Sequence, residues 1–289
     1  MSHLRNLFHK PSGHEEAQQA PIPSTRRERG TAFTDATTAI PTLATTATLT
    51  LPEFPVEEAH LSPETRLLYY EDPRSPAADR YRLLRMRLKE HWRSGKLKRL
   101  LVTGPLAHDG KSTVVMNLAT ALAERGKRSV LVIEADLHHS SLARYLRLRS
   151  WAGLTECLVD EATPLSSAIR RLEPLGWYLL PAGEPRRNPT ELLQTAAFGH
   201  LVQKLTPHFD WILIDSPPVV PLTDTLSLQQ HADASLLVVR AGETPRDAIE
   251  QTIALLGKKN ILGIVLNGIE ARNHLYYQYN GYNKRDEDD

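Results

Sequence analysis

Residues 104 to 113 combine the residue types and the spacing that proteins use to bind phosphate. The segment follows the apolar run Arg99–Thr103, leads into a helical pattern, and reads Gly-Pro-Leu-Ala-His-Asp-Gly-Lys-Ser-Thr. The backbone N–H groups of such a loop bind phosphate oxygens at a helix N-terminus, where the helix dipole adds positive potential. The segment therefore predicts a P-loop for ATP and Mg²⁺, with nucleotide contacts from His108, Asp109, Gly110, Lys111, Ser112 and Thr113.

Three of these residues have separate chemical tasks. Gly110 permits close approach of the backbone to phosphate, Lys111 reaches the β- and γ-phosphates, and the Ser112 hydroxyl ligates Mg²⁺. The strict pattern places a glycine five positions before Gly110, whereas Pro105 stands there and Gly104 comes one residue early. The apolar run before the loop, the helical pattern after it and the loop length favour a P-loop despite this difference.

Carboxylates end two further apolar runs. Val130–Glu134 is followed by Asp136, and Trp211–Asp215 ends on an acid. The carboxyl ends of parallel strands meet at one edge of a sheet, so these acids are placed to hold Mg²⁺ or to abstract a proton. Each acid alone also fits a helix cap or a solvated strand end. Because all three follow the P-loop in this order, they favour a nucleotide site with Glu134, Asp136 and Asp215 in it.

Short apolar runs alternate with helical segments from about residue 75 onward. Several runs are apolar throughout, which is typical of strands covered on both faces in a parallel sheet. Short connections between strands and helices predict right-handed crossovers and a doubly wound, mostly parallel α/β sheet. The predicted strands are Arg99–Thr103, Val130–Glu134, Trp177–Pro181, Trp211–Asp215, Ser235–Arg240 and Ile261–Asn267, and the predicted helices are Ala77–Trp92, Ser112–Arg125, Ser141–Leu148, Leu154–Asp160, Thr190–Leu205 and Pro245–Leu256.

Composition divides the chain into three parts. Residues 1–60, rich in Thr, Ala and Pro, predict a disordered arm; residues 61–272 predict the nucleotide-binding domain; residues 273–289 predict a flexible tyrosine-rich tail. The 35 basic and 34 acidic residues nearly cancel, which argues against a general nucleic-acid binder. With one cysteine and no apolar run of membrane-spanning length, we expect a cytoplasmic protein that reaches a membrane only through a partner.

The three phosphate-site segments resemble the Walker A, Walker A′ and Walker B motifs of the bacterial tyrosine kinases that accompany capsule and exopolysaccharide export. The resemblance runs from about Ser75 to Tyr282 and leaves out the arm. The pattern Asp79-x-x-Arg82-x-x-Arg85 is similar to the Glu-x-x-Arg-x-x-Arg helix through which that family assembles rings, here within residues 75–92. The tail resembles the family's phosphorylated tyrosine cluster and carries Tyr276, Tyr277, Tyr279 and Tyr282.

The resemblance implies an ATP-dependent tyrosine autokinase with a MinD/ParA-like P-loop NTPase fold. Lys111 would neutralise the β/γ-phosphates, Ser112, Asp136 and Asp215 would hold Mg²⁺, and Glu134 would accept the tyrosine proton. Asn267, at the end of the last strand, would contact the adenine. The tail of one subunit would be phosphorylated by its neighbour in a homo-oligomeric ring. A separate membrane chain-length protein would activate the kinase, which would regulate exopolysaccharide or capsule polymerisation and export.

Three departures from the family pattern involve four residues. Glu134 stands where the first Walker A′ acid is usually Asp, and a shift of about 1 Å in a positioned group can cost roughly 100-fold in rate. His138 and His139 replace arginines, so positive charge there is absent or depends on pH. His108 replaces a glycine, and a positive φ at that position would strain it. These changes affect turnover more than nucleotide binding.

Two other functions remain open at this stage. A catalytically weak, ATP-switched scaffold would keep the binding site and lose the chemistry. A partitioning or division-site ATPase of the MinD/ParA type shares the fold, but such proteins carry an additional lysine near the start of the P-loop. Residues 104 to 107 are Gly, Pro, Leu and Ala. The missing lysine and the tyrosine tail favour the kinase.

Overall fold

A computed structural model of the chain describes residues 53–62, 65–220 and 223–269. Within these ranges, the six predicted apolar runs all form strands, and two further strands join them. The strands are β1 (Val56–Glu58), β2 (Arg99–Thr103), β3 (Val130–Glu134), β4 (Arg170–Glu173), β5 (Trp177–Leu180), β6 (Trp211–Asp215), β7 (Ala234–Arg240) and β8 (Ile261–Asn267).

The helices alternate with these strands in the chain. They are α1 (Leu68–Glu71), α2 (Pro76–Arg93), α3 (Lys111–Ala123), α4 (Leu142–Tyr145), α5 (Leu154–Val159), α6 (Leu165–Ala168), α7 (Pro189–Leu193), α8 (Ala196–Leu205), α9 (Asp224–Gln229) and α10 (Arg246–Leu256). The Ser75 hydroxyl caps α2 by accepting the Ala78 N–H, and Pro76 follows at the first helical position. Thr195, in an extended conformation, separates α7 from α8 where the sequence predicts one continuous helix.

The strands form one sheet in the order β1-β4-β5-β3-β6-β2-β7-β8. Every neighbouring pair is parallel except β4 with β5. In the centre, β6 lies between β3 and β2, which puts Asp215 beside Glu134 on one side and Val102 on the other. The carboxyl ends of the strands that carry the predicted site therefore lie side by side.

Apolar side chains cover both faces of the central strands. Leu100, Val102 and Val132 point to one face, where they pack with α3, whereas Leu101 and Ile133 point to the other face, where α5 and α8 cover them. Nearly every residue of α3 is buried, because the helix packs directly on the sheet. This arrangement confirms the predicted doubly wound, mostly parallel fold.

The boundary of the predicted arm is corrected at its end. Residues 56 to 58 fall inside the region predicted to be disordered, yet they form β1, which pairs in parallel with β4. The strand is only three residues long and its side chains alternate without a strong apolar pattern, so the sequence carried little signal for it. The remainder of the arm up to residue 52 and the tail from residue 270 lie outside the described residues. Within the described part of the chain, no helix is long and apolar enough to cross a membrane.

Candidate functional site

The P-loop segment joins the end of β2 to the first turn of α3. Gly110 precedes the helix in the left-handed conformation, with φ at 91°, and Val114 donates the first helical hydrogen bond back to its carbonyl. The N–H groups of Lys111, Ser112 and Thr113 have no helical acceptor at this end, so they are available to an anion. The positive φ favours glycine at this position, and a Cβ there would also displace the Asn267 side chain, whose Nδ2 would lie 2.0 Å away.

Asp109 fastens this loop from within. One carboxylate oxygen accepts the Leu106 N–H at 2.8 Å and the other accepts the Thr244 hydroxyl at 2.7 Å. Its backbone carbonyl accepts a hydrogen bond from Asn267 Nδ2 at 3.0 Å. The side chain is almost fully buried, so Asp109 holds the loop in place instead of facing a ligand. The contacts with Thr244 and Asn267 tie the P-loop to β8 and to the loop after β7.

His108 has the positive φ that the sequence predicted for its position, at 68°. The conformation is unfavourable for a residue with a Cβ. Arg240 donates a hydrogen bond to the His108 carbonyl at 3.1 Å, which helps to fix the peptide. Gly104, the displaced glycine of the pattern, is also required: a Cβ there would lie 2.7 Å from the Val238 carbonyl oxygen.

Lys111 is buried among carboxylates. Burial lowers the pKa of its ammonium below the ordinary value, and the charges of Asp215, Asp136 and Asp109 oppose that shift in this order. Its Nζ donates a hydrogen bond to the Leu106 carbonyl at 3.1 Å across the P-loop. The lysine is thus held over the loop and close to the acids, as its predicted contact with β- and γ-phosphates requires.

Asp215 provides a test of whether the site suits Mg²⁺. The side chain is buried, and no described residue makes a hydrogen bond of good geometry to either carboxylate oxygen, although the Ser112 hydroxyl lies close enough to affect the carboxyl. Burial raises the pKa of this carboxyl to about 7; the Ser112 hydroxyl and Lys111 act against the rise, and the charges of Glu134 and Asp136 add to it. An unpartnered buried carboxylate next to a hydroxyl and a phosphate loop has the donor chemistry that Mg²⁺ prefers. The residues present therefore fit a magnesium ion.

Glu134 is occupied by backbone amides. One carboxylate oxygen accepts the N–H groups of Ser141 and Leu142 at 2.6 and 2.7 Å, and the other accepts the Ala182 N–H at 3.1 Å. Burial raises the pKa of Glu134, and these hydrogen bonds oppose the rise. The side chain joins the end of β3 to the start of α4 and to the segment after β5, which is a positioning role.

Asp136 is the more accessible of the two Walker A′ acids. It is partly exposed, and one of its oxygens accepts the His139 backbone N–H at 2.9 Å. Its charge affects the pKa values of Lys111, Glu134 and Asp215, so the structure brings these four side chains together.

A histidine–aspartate pair holds the loop that follows β3. His138 Nε2 is 2.7 Å from Asp224 Oδ2 and 3.4 Å from the Thr190 hydroxyl. Asp224 is fully buried at the first position of α9. The pair connects the loop after β3 with α7 and α9. It was not predicted, because residues 138 and 224 are far apart in the chain and only the fold brings them together. Within the described residues no cluster of three metal-ligating acids, histidines or cysteines occurs.

The residues predicted to assemble a ring, Asp79, Arg82 and Arg85, make hydrogen bonds or ion pairs within this chain. Arg82 pairs with Asp79 on the surface of α2 at 2.5 Å and also contacts the Pro73 carbonyl. Arg85 donates to the Ala121 carbonyl at 3.0 Å, which fastens α2 to α3, and to the Tyr69 hydroxyl at 3.2 Å. Their role in a ring stays a prediction. The four tail tyrosines lie outside the described residues.

The fold and the site define a P-loop nucleotide-binding protein. A family profile described as an AAA domain matches residues 108–259. The septum site-determining protein MinD of Pyrococcus horikoshii, solved with Mg-ADP, superposes with a TM-score of 0.51 at 22% identity over 61% of this chain and 73% of its own, which shows the fold alone.

Sequence relatives narrow the class. The chain is 32% identical over 197 residues to the tyrosine-protein kinase CpsD of Streptococcus agalactiae, covering 67% of this chain and 85% of the relative. It is 30% identical over 228 residues to the tyrosine-protein kinase ptk of Acinetobacter johnsonii, covering 76% of this chain but 31% of that longer relative. The kinase domain of the Escherichia coli tyrosine kinase ETK superposes with a TM-score of 0.67 at 27% identity, covering 72% and 82% of the two chains. The chain belongs to the bacterial tyrosine-protein kinases.

Proposed function

We propose that this chain binds ATP·Mg²⁺ at the P-loop and transfers the γ-phosphoryl group to tyrosines of its own tail. The observation that carries the proposal is the convergence of Lys111 and the unpartnered carboxylate of Asp215 at the N-terminus of α3. Membership of the tyrosine kinase family supports tyrosine as the acceptor.

Catalysis would consist mostly of positioning and of neutralising charge. The N–H groups at the start of α3 and the Lys111 ammonium would bind the β- and γ-phosphates. Ser112 and Asp215 would hold Mg²⁺, which when bound supplies charge neutralisation on the phosphate oxygens. Asp136, which the family resemblance adds to the metal ligands, is considered as the base instead. The tyrosine oxygen forms a new bond to the γ-phosphorus as the bond to the β-phosphate oxygen breaks and ADP leaves.

The acceptor tyrosine must lose its proton, and the structure alters the choice of base. Glu134 is the base that the family resemblance implies, but its two carboxylate oxygens already accept three backbone N–H groups. Asp136 is partly exposed and has only one such contact. We therefore assign the proton to Asp136 and a positioning role to Glu134.

The wider setting is also proposed from the family. Neighbouring subunits would phosphorylate Tyr276, Tyr277, Tyr279 and Tyr282 in a ring assembled through α2. A separate membrane protein would activate the kinase and bring it to the membrane, where it would regulate capsule or exopolysaccharide polymerisation and export. Each phosphate adds roughly two negative charges, enough to repel the tail from an acid-lined site and to loosen the ring.

The test is phosphate mapping on purified protein incubated with ATP and Mg²⁺. Mass spectrometry is expected to find phosphate on the tail tyrosines of the wild type. No phosphate is expected on Lys111→Met, nor on a chain in which all four tyrosines are Phe. If the wild type hydrolyses ATP but no tail tyrosine gains phosphate, even with a membrane activator added, the kinase proposal fails.

A catalytically weak, ATP-switched scaffold is the second candidate. The observations in its favour are the strained His108 peptide and the fully engaged Glu134 carboxylate. A scaffold would bind ATP and change its oligomeric state with no transfer to tyrosine. Sedimentation of the protein with ADP and with a non-hydrolysable ATP analogue, alongside the phosphate mapping, separates the two functions.

A further inference from the structure

A cavity of about 680 Å³ lies beside the P-loop, and only part of it is needed by the proposed nucleotide site. Gly110, Thr113 and Asn267 line the end next to the P-loop. The cavity then continues away from the acids, between the segment from Thr65 to Arg87 on one side and the end of β8 on the other. Asn267 is the residue predicted to contact the adenine, whereas in this outer cavity none of the lining residues from Thr65 to Arg87 is assigned a role in phosphoryl transfer.

The charged side chains of the outer cavity are all of one sign. Arg66, Arg80 and Arg87 line it, Arg240 stands at its P-loop end, and no Asp or Glu occurs among its described lining residues. The side chains of Arg66 and Arg80 are exposed, and neither makes an ion pair or hydrogen bond within the described ranges. Arg240 is paired with Glu243, so the positive potential that attracts an anionic ligand comes mainly from Arg66 and Arg80.

The position of the chain in this cavity suggests the ligand. Gly268 and Ile269 form part of the wall, so the segment that follows them in sequence starts from the cavity itself. Four consecutive acids, Asp286-Glu287-Asp288-Asp289, stand 17 residues beyond Ile269. An extended chain covers roughly 3.3–3.6 Å per residue, so this connection spans the cavity several times over. Loop closure over such a length becomes costlier only slowly with added residues.

We propose that the outer cavity binds the acidic segment Asp286–Asp289 of the same chain. The segment supplies four carboxylates to the arginines, and these outnumber the two positive charges of Lys284 and Arg285 that precede it in the sequence. The docked segment would share one cavity with Gly110 and Thr113 of the P-loop, and two anions in one cavity repel each other. Docking of the acidic segment and nucleotide binding therefore oppose each other, independently of whether phosphate reaches tyrosine.

Direct binding is measured with a fluorescent peptide of residues 283–289. The receptor is the full chain carrying Asp286→Asn, Glu287→Gln, Asp288→Asn and Asp289→Asn, so that its own segment does not compete. Anisotropy is expected to show saturable binding that weakens at least tenfold on adding Arg66→Ser and Arg80→Ser. The matched control, Arg186→Ser with Arg187→Ser, removes two exposed arginines outside the cavity and is expected to leave the affinity unchanged. Absence of binding, or an equal loss in the control, overturns the proposal.

Nucleotide affinity provides an independent measurement. The chain with the neutral segment is expected to bind a fluorescent ATP analogue several-fold more tightly than the wild type. In the presence of Arg66→Ser and Arg80→Ser, neutralising the segment is expected to make no further difference. Equal affinities of the wild type and the neutral-segment chain contradict the proposal. If neutralisation instead lowers the oligomeric mass in sedimentation, the segment binds a neighbouring copy, and docking within one chain is refuted.

Discussion

Glu134 and Asp136 differ by two positions in sequence and differ sharply in environment. Three backbone N–H groups saturate Glu134, whereas Asp136 is partly exposed beside Lys111 and Asp215. The sequence predicts both acids at the site. It gave no means to divide the work between them, because the amides of Ser141, Leu142 and Ala182 reach Glu134 only through the tertiary fold.

Substitutions that replace each carboxylate by an amide distinguish the base from the positioning residue. We expect Asp136→Asn to lower tyrosine transfer by about 10²–10⁴-fold, the usual contribution of a general base, with little change in stability. Glu134→Gln places an amide group against backbone N–H donors, so we expect it to lower the free energy of unfolding by about 1–3 kcal/mol and to reduce transfer less than Asp136→Asn does. Urea denaturation and single-turnover transfer measure the two effects. A larger loss of transfer in Glu134→Gln than in Asp136→Asn would return the base role to Glu134.

Asp215 links protonation to stability. Burial raises the pKa of its carboxyl to about 7 from an ordinary 3.8. Below pH 3.8 the group is protonated in both the folded and the unfolded chain; as pH rises, its ionisation destabilises the fold, and the cost is complete above about pH 7. We expect nucleotide-free Asp215→Asn to be more stable than the wild type at pH 8 by about 1–3 kcal/mol, because the substitution removes the cost of a buried negative charge. The gain is limited because Lys111 loses a favourable neighbour.

Urea denaturation without nucleotide at pH 8 and near pH 4 checks this expectation. The difference between Asp215→Asn and the wild type is expected to disappear near pH 4. Asp136→Asn, at a partly exposed position, serves as the control and is expected to differ little from the wild type at either pH. An Asp215→Asn variant that is less stable than the wild type at pH 8 contradicts the argument.

Asp109 shows how a residue predicted to contact nucleotide can act on it indirectly. Thr244→Val removes the hydroxyl that Asp109 accepts and leaves the P-loop sequence intact. We expect this change to lower the free energy of unfolding by about 1 kcal/mol and to weaken nucleotide binding. Thr206→Val removes a comparable hydroxyl bond, to the Val202 carbonyl, away from the site. Calorimetric titration with ADP should detect weaker binding in Thr244→Val only. Equal affinities in both variants would show that the hydrogen bond between Thr244 and Asp109 does not affect nucleotide binding.

At the scale of elements, long apolar strands were predictable and short or mixed ones were not. β2, β3, β6 and β8 begin and end at the predicted residues, because each is apolar along most of its length. β4 was missed: it contains two arginines and a glutamate, and it is a strand because it pairs with β1 and β5. Local pattern determines the central strands, whereas pairing partners determine the edge.

The arginines of α2 provide a matched pair for a test at this scale. Arg85→Ala breaks the connection to the Ala121 carbonyl on α3, and we expect it to cost about 1 kcal/mol of stability. Arg82→Ala loses a partly exposed pair with Asp79, which we expect to contribute less than about 0.5 kcal/mol. Urea denaturation compares the two, and sedimentation reports ring assembly. If Arg85→Ala alone disrupts assembly, the defect follows from the packing of α2 and not from a contact between subunits.

At the scale of the whole molecule, the proposed transfer of phosphate between copies can be tested against transfer within one copy. We mix Lys111→Met, which retains its tail, with a chain whose four tail tyrosines are Phe but whose site is intact. Phosphate is expected on the Lys111→Met tail, and its rate per molecule is expected to rise with protein concentration. Each variant alone is the control and is expected to stay unphosphorylated. Phosphate confined to the wild type, with none in the mixture, would mean that each copy acts only on its own tail.

The central position of β6 has a consequence for folding during synthesis on the ribosome. β6 lies between β2 and β3, yet the ribosome makes it after both of them. A nascent chain therefore carries Lys111, at the start of α3, and Glu134, at the end of β3, before the strand that lies between β2 and β3 has been made. The contact from Asn267 to the P-loop comes later still. ATP cannot guide the early folding of this domain, and only a chain synthesised through its last strand gains stability from the nucleotide.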